Sequence, residues 1–260
     1  MAAEAWVEQV IEMAMAIQQV PAPTFAESAR AAMVRQLFVK EGLDSVQVDS
    51  AGNVLGRLPG AESARPLIVS AHLDTVFPAG TDLTLRRDLE KVYAPGIGDN
   101  SLGVAALFGL AWELKSRQLP LGGDVWLVAN VCEEGLGDLL GMKTVVDHFS
   151  SAVTAYLILE GMALGQVYHR GLGVRRYRIT TTTRGGHSWV DFGRPSAIHE
   201  LAELIVKLNA LSLPKEPRTS LNVGRISGGT SVNTIASQAM LELDTRSEGY
   251  QELTTLAMQV

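Results

Sequence analysis

The sequence predicts an α/β protein built on a mainly parallel sheet, continued by a smaller α+β unit. Three observations predict it. Apolar runs alternate with helical patterns between about residues 66 and 159, as in strands joined by crossover helices. The run Leu67-Ile68-Val69 and the segment Asp124 to Val131 are almost continuously apolar, as strands buried on both faces are. Around Gly171-Leu172-Gly173 the texture changes to long strands carrying Thr and Arg. A length of 260 residues accommodates two units, with the boundary expected between 1–170 and 171–260.

The elements follow in order. Trp6, Val10, Met13 and Ile17 recur at helical spacing, and Val20-Pro21-Ala22-Pro23 ends that helix because proline cannot continue the hydrogen-bond ladder. Thr24 and Glu27 have the spacing of a capping box for a second helix reaching about Lys40. Ser45 to Asp49 and Asn53 to Leu58 read as short strands, and Pro59-Gly60 turns the chain into a strand over Pro66 to Ala71. A helix over Leu102 to Lys115, a strand over Asp124 to Val131, a helix over Leu139 to His148 and a strand over Ala155 to Leu159 complete the first unit. The second reads as a strand over Val174 to Arg184, a helix near Ser196 to Leu211, strands near Leu221 to Ile226 and Ala239 to Arg246, and a helix from Gln251. That order is one strand short of a ferredoxin-like α+β sandwich.

Composition excludes several classes of partner. With 22 Lys and Arg against 28 Asp and Glu, the formal charge is −6, which argues against phosphate backbones and anionic membranes. The first twenty residues carry Glu4, Glu8 and Glu12 and no basic residue, unlike a signal peptide, and are too polar for a membrane span. Cys132 is the single cysteine, so no intramolecular disulfide forms and the cytoplasm is the default location.

Polar clusters fall at the ends of the predicted strands of the first unit: His72-Leu73-Asp74, Gly98-Asp99-Asn100, Cys132-Glu133-Glu134-Gly135 and Leu159-Glu160-Gly161. Each alone reads as well as a core histidine, a helix cap or a turn. Together they put one imidazole and several carboxylates into the crevice at the carboxyl ends of the strands, which is costly without a cation. Nitrogen and carboxylate oxygen without thiolate suit zinc, cobalt or manganese. Two ions fit this set, because Asp99 can bridge through its two oxygens. Asp74, two residues after His72 in an extended segment, is placed to orient the imidazole. Of the adjacent Glu133 and Glu134, one can bind metal while the other moves a proton.

The segments VSAHLDTV, GIGDNSLGVAAL, VCEEGLGD, LILEG, GGHSW and SVNTIA...LELDTR, in that order over residues 65 to 246, resemble the zinc-dependent exopeptidase and aminoacylase family. That family includes peptidase T, glutamate carboxypeptidase, acetylornithine deacetylase and succinyl-diaminopimelate desuccinylase. The resemblance implies a catalytic di-zinc α/β domain with an inserted lid domain that dimerises, and hydrolysis of a peptide or N-acyl amide bond of a small peptide or acylated amino acid. It implies that His72 binds one of two Zn2+ ions with Asp74 behind it, that Asp99 bridges both, and that Glu134 and Glu160 each complete a site. Glu133 would be the general base and His187 the donor to the oxyanion. Asn233 and Arg246 would contact substrate, Arg246 gripping a carboxylate; a turn residue and a surface ion pair are the alternatives at these two positions.

His148 and His199 fall in predicted helices and read as surface histidines, with His169 near the hinge. Cys132 reads as a small buried hydrophobe, and Trp189 and Tyr168 as packing or pocket lining. The family continues for roughly another hundred residues to a last histidine ligand, which none of the five histidines matches, so the chain is expected to be incomplete at its C-terminus. A non-catalytic metal-binding or dimerisation remnant is therefore the alternative to an enzyme.

Overall fold

The computed structural model describes residues 2–161 and 164–260, and the chain divides into two compact units, Met1–Leu164 and Gly165–Val260. In the first, helices α1 (Ala2–Gln18) and α2 (Ser28–Lys40) precede strands β1 (Asp44–Val48), β2 (Val54–Leu58) and β3 (Leu67–His72). A short ladder, β4 (Arg86–Arg87) with β5 (Val92–Tyr93), leads to α3 (Leu102–Ser116), then β6 (Val125–Asn130), α4 (Leu140–Phe149) and β7 (Ala155–Ile158).

The five long strands form one sheet in the order β1-β2-β6-β3-β7. β3 pairs in parallel with β6 and β7, while β2 opposes its neighbours β1 and β6, so four of the five strands run in one direction. The apolar run of β3 is explained by what covers each face. Val69 and Ala71 point into a core with Ile17, Val34, Phe38, Leu107 and Phe108 from the helices, whereas Ile68 points into a second core with Leu55, Val128 and Val145. Strand residues alternate between faces, so a strand buried on both sides needs apolar side chains at nearly every position.

One local expectation fails. The Thr24 and Glu27 capping box does not form: Glu27 is the residue preceding α2 and makes no side-chain cap bond. The Thr24 hydroxyl donates instead to Asp74 Oδ2 at 3.0 Å, and Glu27 Oε1 accepts the Phe25 and Cys132 amides at 3.1 and 3.0 Å. Tertiary partners have taken the two side chains that would otherwise close the helix end.

The second unit comprises β8 (Gly173–Thr182), β9 (Gly186–His187), α5 (Ala197–Asn209), β10 (Thr219–Gly228), β11 (Thr234–Ile235), β12 (Gln238–Ser247) and α6 (Tyr250–Gln259). β10, β12 and β8 form an antiparallel sheet with β12 at its centre, and β9 pairs with β11. Ala239, Leu241 and Leu243, alternate residues of β12, pack with Ala197, Leu201 and Leu208 of α5. The intervening Glu242 and Asp244 pair with Arg178 and Arg176 at 2.8 and 3.0 Å, which leaves the opposite face polar. Among the described residues no helix is long and apolar enough to cross a membrane.

Candidate metal centre

The polar clusters of the first unit converge because three adjacent strands, β6, β3 and β7, run parallel and so end at the same edge of the sheet. β3, in the middle, ends at His72. β6 leads into Glu133 and Glu134, and β7 into Glu160. Asp99 arrives from the turn Ile97–Ser101 that opens α3. Ligand atoms of His72, Asp99 and Glu134 lie within 4.8 Å of one another. His72 Nε2 is 2.9 Å from Asp99 Oδ1 and 3.7 Å from Glu160 Oε1.

The imidazole is buried and held from behind. Nδ1 lies 2.9 Å from the Asp74 backbone carbonyl and 3.5 Å from Asp74 Oδ1, so the shorter contact that orients the ring comes from the main chain. The buried Asp74 carboxylate also acts on the neighbouring loop, where its Oδ1 and Oδ2 accept the Glu133 and Glu134 amides, each at 2.9 Å. One side chain thereby ties the loop after β3 to the loop after β6. The loops carrying Asp99 and Glu160 are joined in a similar way, with Asn100 Nδ2 donating to the Leu159 carbonyl at 2.8 Å. They also lie in direct contact, since a Cβ on Gly161 would stand 1.8 Å from the Gly98 carbonyl oxygen. Only glycine permits that approach.

The electrostatics are those of a site crowded with negative charge. Burial opposes protonation of His72, but the hydrogen bonds to Asp74 and Glu160 and the charges of Glu160 and Glu133 push it up to about 11. Burial raises Glu134 to about 7, with the Asp99 and Glu133 charges adding to the effect. Glu133 is raised as well, first by burial and then by Glu160, Asp74 and Asp99, against the pull of His72. Asp74 and Glu160 move the other way: burial works against their charge, and bonds from His72 and from backbone amides outweigh it. One imidazole nitrogen and several carboxylate oxygens at this spacing are a donor set for a divalent cation, which would neutralise the like charges. The residues present therefore fit the metal that the sequence implied.

In the second unit, His187 and Asn233 come together in paired segments: Thr234 is opposite His187 across the β9–β11 ladder, and the Ser188 amide donates to the Asn233 carbonyl at 3.0 Å. The Asn233 side chain accepts the Ser231 hydroxyl at 2.8 Å, within its own turn. His187 Nδ1 accepts the Trp189 and Val190 amides at 3.2 and 3.4 Å, which places the ring proton on Nε2. Arg246 is elsewhere. It lies eight residues beyond Gln238 on β12, roughly 26 Å along the strand, and its Nε is bound to Asp244 Oδ2 at 2.7 Å. The surface ion pair that is the alternative for Arg246 is thus present, and so is the turn role for Asn233. His148 stacks edge-on against Phe149, and Cys132 is buried with its Sγ 3.4 Å from Glu27 Oε1.

Two matches to protein-family models divide the chain: residues 53–170 match peptidase family M28 and residues 170–260 match a peptidase dimerisation domain. A peptidase M20 domain-containing protein of Schizosaccharomyces pombe is 29% identical over 192 residues, covering 71% of this chain and 45% of its own length. These matches support a zinc-dependent exopeptidase and aminoacylase family for the chain. Solved structures establish the family fold here at low identity. A tripeptidase from Staphylococcus aureus superposes with a TM-score of 0.67 at 20% identity, covering 97% of this chain and 69% of the other. The YXEP protein of Bacillus subtilis, described as a dinuclear metal binding peptidase from the M20 family, gives 0.61 at 18%, covering 97% and 67%. The chain spans 44% to 66% of the length of the curated relatives it matches.

The residues that sequence reasoning missed are those that hold the site: Thr24, Glu27, Arg30 and Asn100. Arg30 carried a signal. It shares a helical stripe with Val34 and Phe38, all three buried, and a charge on a core-facing stripe indicates a buried partner. Its Nη1 donates to the Leu73 carbonyl at 2.7 Å and its Nε to the Val20 carbonyl at 2.9 Å.

Proposed function

We propose that the protein hydrolyses a peptide or N-acyl amide bond of a small peptide or acylated amino acid, using two zinc ions held by His72, Asp99, Glu134 and Glu160, with cobalt or manganese able to take their place. The observation that carries this reading is the convergence of His72, Asp99 and Glu134, whose ligand atoms lie within 4.8 Å of one another, at one sheet edge. The name printed for the Bacillus subtilis structure, a dinuclear metal binding peptidase, supports the pair of ions. Divalent ions bound there supply Lewis-acid polarisation of the scissile carbonyl and ease ionisation of the attacking water.

The chain's own residues perform the proton and orientation chemistry. Asp74 holds His72 through its carbonyl and fixes the Glu133-Glu134 backbone through its carboxylate; Glu134, which clusters with His72 and Asp99, is the ligand and Glu133 the base. The raised pKa of Glu133 suits a group that takes a proton from water and returns it to the departing nitrogen. The oxyanion donor is His187, whose Nδ1 is occupied by backbone amides and whose Nε2 hydrogen is free to donate. Asn233 and Arg246 bind substrate, the two outer guanidinium nitrogens of Arg246 taking a carboxylate while Asp244 holds Nε. The domains are 1–170 for catalysis and 171–260 for a lid through which two copies pair. The lone buried cysteine supports a cytoplasmic setting.

Metal analysis of the purified protein, with hydrolysis of tripeptides, C-terminal glutamyl dipeptides and acetylated amino acids, tests the reading. The Glu133→Gln variant is expected to bind metal as the parent does and to lose about 10²- to 10⁴-fold in turnover. Retained turnover in that variant contradicts the assignment of the base.

A further inference from the structure

Three consecutive amides of the loop after β6, those of Cys132, Glu133 and Glu134, are each bound by a buried carboxylate. Asp74 takes the second and third. The first belongs to Glu27, whose Oε1 accepts the Cys132 amide at 3.0 Å, the Cys132 thiol at 3.4 Å and the Phe25 amide at 3.1 Å. Glu27 is only 5% exposed and precedes α2, more than a hundred residues from the loop it holds. The loop needs such a grip: Cys132 has φ of 53°, a left-handed conformation unfavourable for a residue with a Cβ, and it sets the direction in which the next two side chains leave the backbone.

The same segment grips the other half of the centre. Thr24 donates to Asp74, the Thr75 amide donates to the Ala22 carbonyl at 2.9 Å, and Arg30, 2% exposed, donates to the Leu73 carbonyl. Residues 22–30 therefore clasp both the His72–Asp74 loop and the Cys132–Glu134 loop. Within that clasp Glu27 alone bonds the glutamate-bearing loop with a charged side chain, among the described residues.

We infer that Glu27 is a positioning residue for the metal centre: by binding the Cys132 amide it locks the turn that aims Glu134 at the cation. The inference rests on the proposed metal-binding reading. It predicts a particular chemistry, because an acceptor oxygen of the right reach is required and the charge is not. Glu27→Gln keeps the oxygen and the reach. Glu27→Asp keeps the charge but is one methylene too short, and Glu27→Ala removes both.

The test is the Zn2+ dissociation constant of the metal-free chain and these three variants, measured by competition with a chromophoric chelator, alongside the thermal midpoint and the visible spectrum of the Co2+ form. The expected result is a roughly 10- to 100-fold weaker affinity for Ala and Asp, with an altered Co2+ spectrum, and an affinity for Gln within about twofold of the parent. Should the Ala variant fail to fold, the Asp and Gln pair decides. Folded Ala or Asp variants with parental affinity and spectrum overturn the inference, even if their midpoints fall, since that is the result of a purely structural role. A parent chain that binds no Zn2+ overturns the metal reading itself.

Discussion

His72 sets the pH behaviour of the centre. Its folded-state pKa is raised from 6.5 to about 11, so the stability its proton contributes is complete below pH 6.5 and is lost as pH rises toward 11. Glu134, raised from 4.5 to about 7, behaves likewise: its proton favours the fold fully below pH 4.5, and that contribution is gone above about pH 7. Asp74 is lowered from 3.8, so its contribution is present above that value and is lost as pH falls through the lowered pKa. A cation must displace the protons of its ligands. Zn2+ affinity is therefore expected to rise about tenfold per pH unit between pH 7 and 9, as one proton leaves His72, and more steeply below pH 7, where Glu134 releases a second. Titration calorimetry in buffers of different ionisation enthalpy counts those protons. A proton release of zero at pH 8 contradicts the environment assigned to His72.

The elements explain why four separated sequence clusters meet. Parallel β6, β3 and β7 deliver their C-terminal loops to one edge, and small residues let those loops touch. Gly161→Ala would place a methyl group on the Gly98 carbonyl, so the Asp99 and Glu160 loops would have to part. The expected result is a destabilisation of about 1–3 kcal/mol together with a Zn2+ affinity at least tenfold weaker. Chemical denaturation and chelator competition measure the two, and unchanged metal affinity would show that Glu160 does not share the centre with Asp99. Strand positions were legible in the sequence because β3 and β6 are buried on both faces and so carry uninterrupted apolar runs. The sheet order was less legible: β6 inserts between β2 and β3, a long-range pairing to which local periodicity is blind. The capping box failed for a related reason, since its two side chains are claimed by residues 50 and 105 positions away.

At the scale of the molecule, the first unit contains the proposed ligands and base, and the second contains the residues assigned to oxyanion and substrate. His72, Glu133, Glu134 and Glu160 were readable because each is a charged or imidazole side chain just after an apolar run stops, whereas Asp99, expected at a strand end, lies in the turn that opens α3. What the sequence could not convey is which atoms do the holding. Asp74 orients His72 chiefly through its backbone carbonyl and uses its carboxylate on two amides, and Arg246 lies far along β12 from Asn233 despite their closeness in sequence. The most direct measurement is a titration of Zn2+ into the metal-free protein and into its His72→Ala and Asp99→Ala variants. The account predicts saturable binding by the parent and affinity at least a hundredfold weaker in both variants, on the order of 3 kcal/mol. Equal affinity in all three proteins would contradict it.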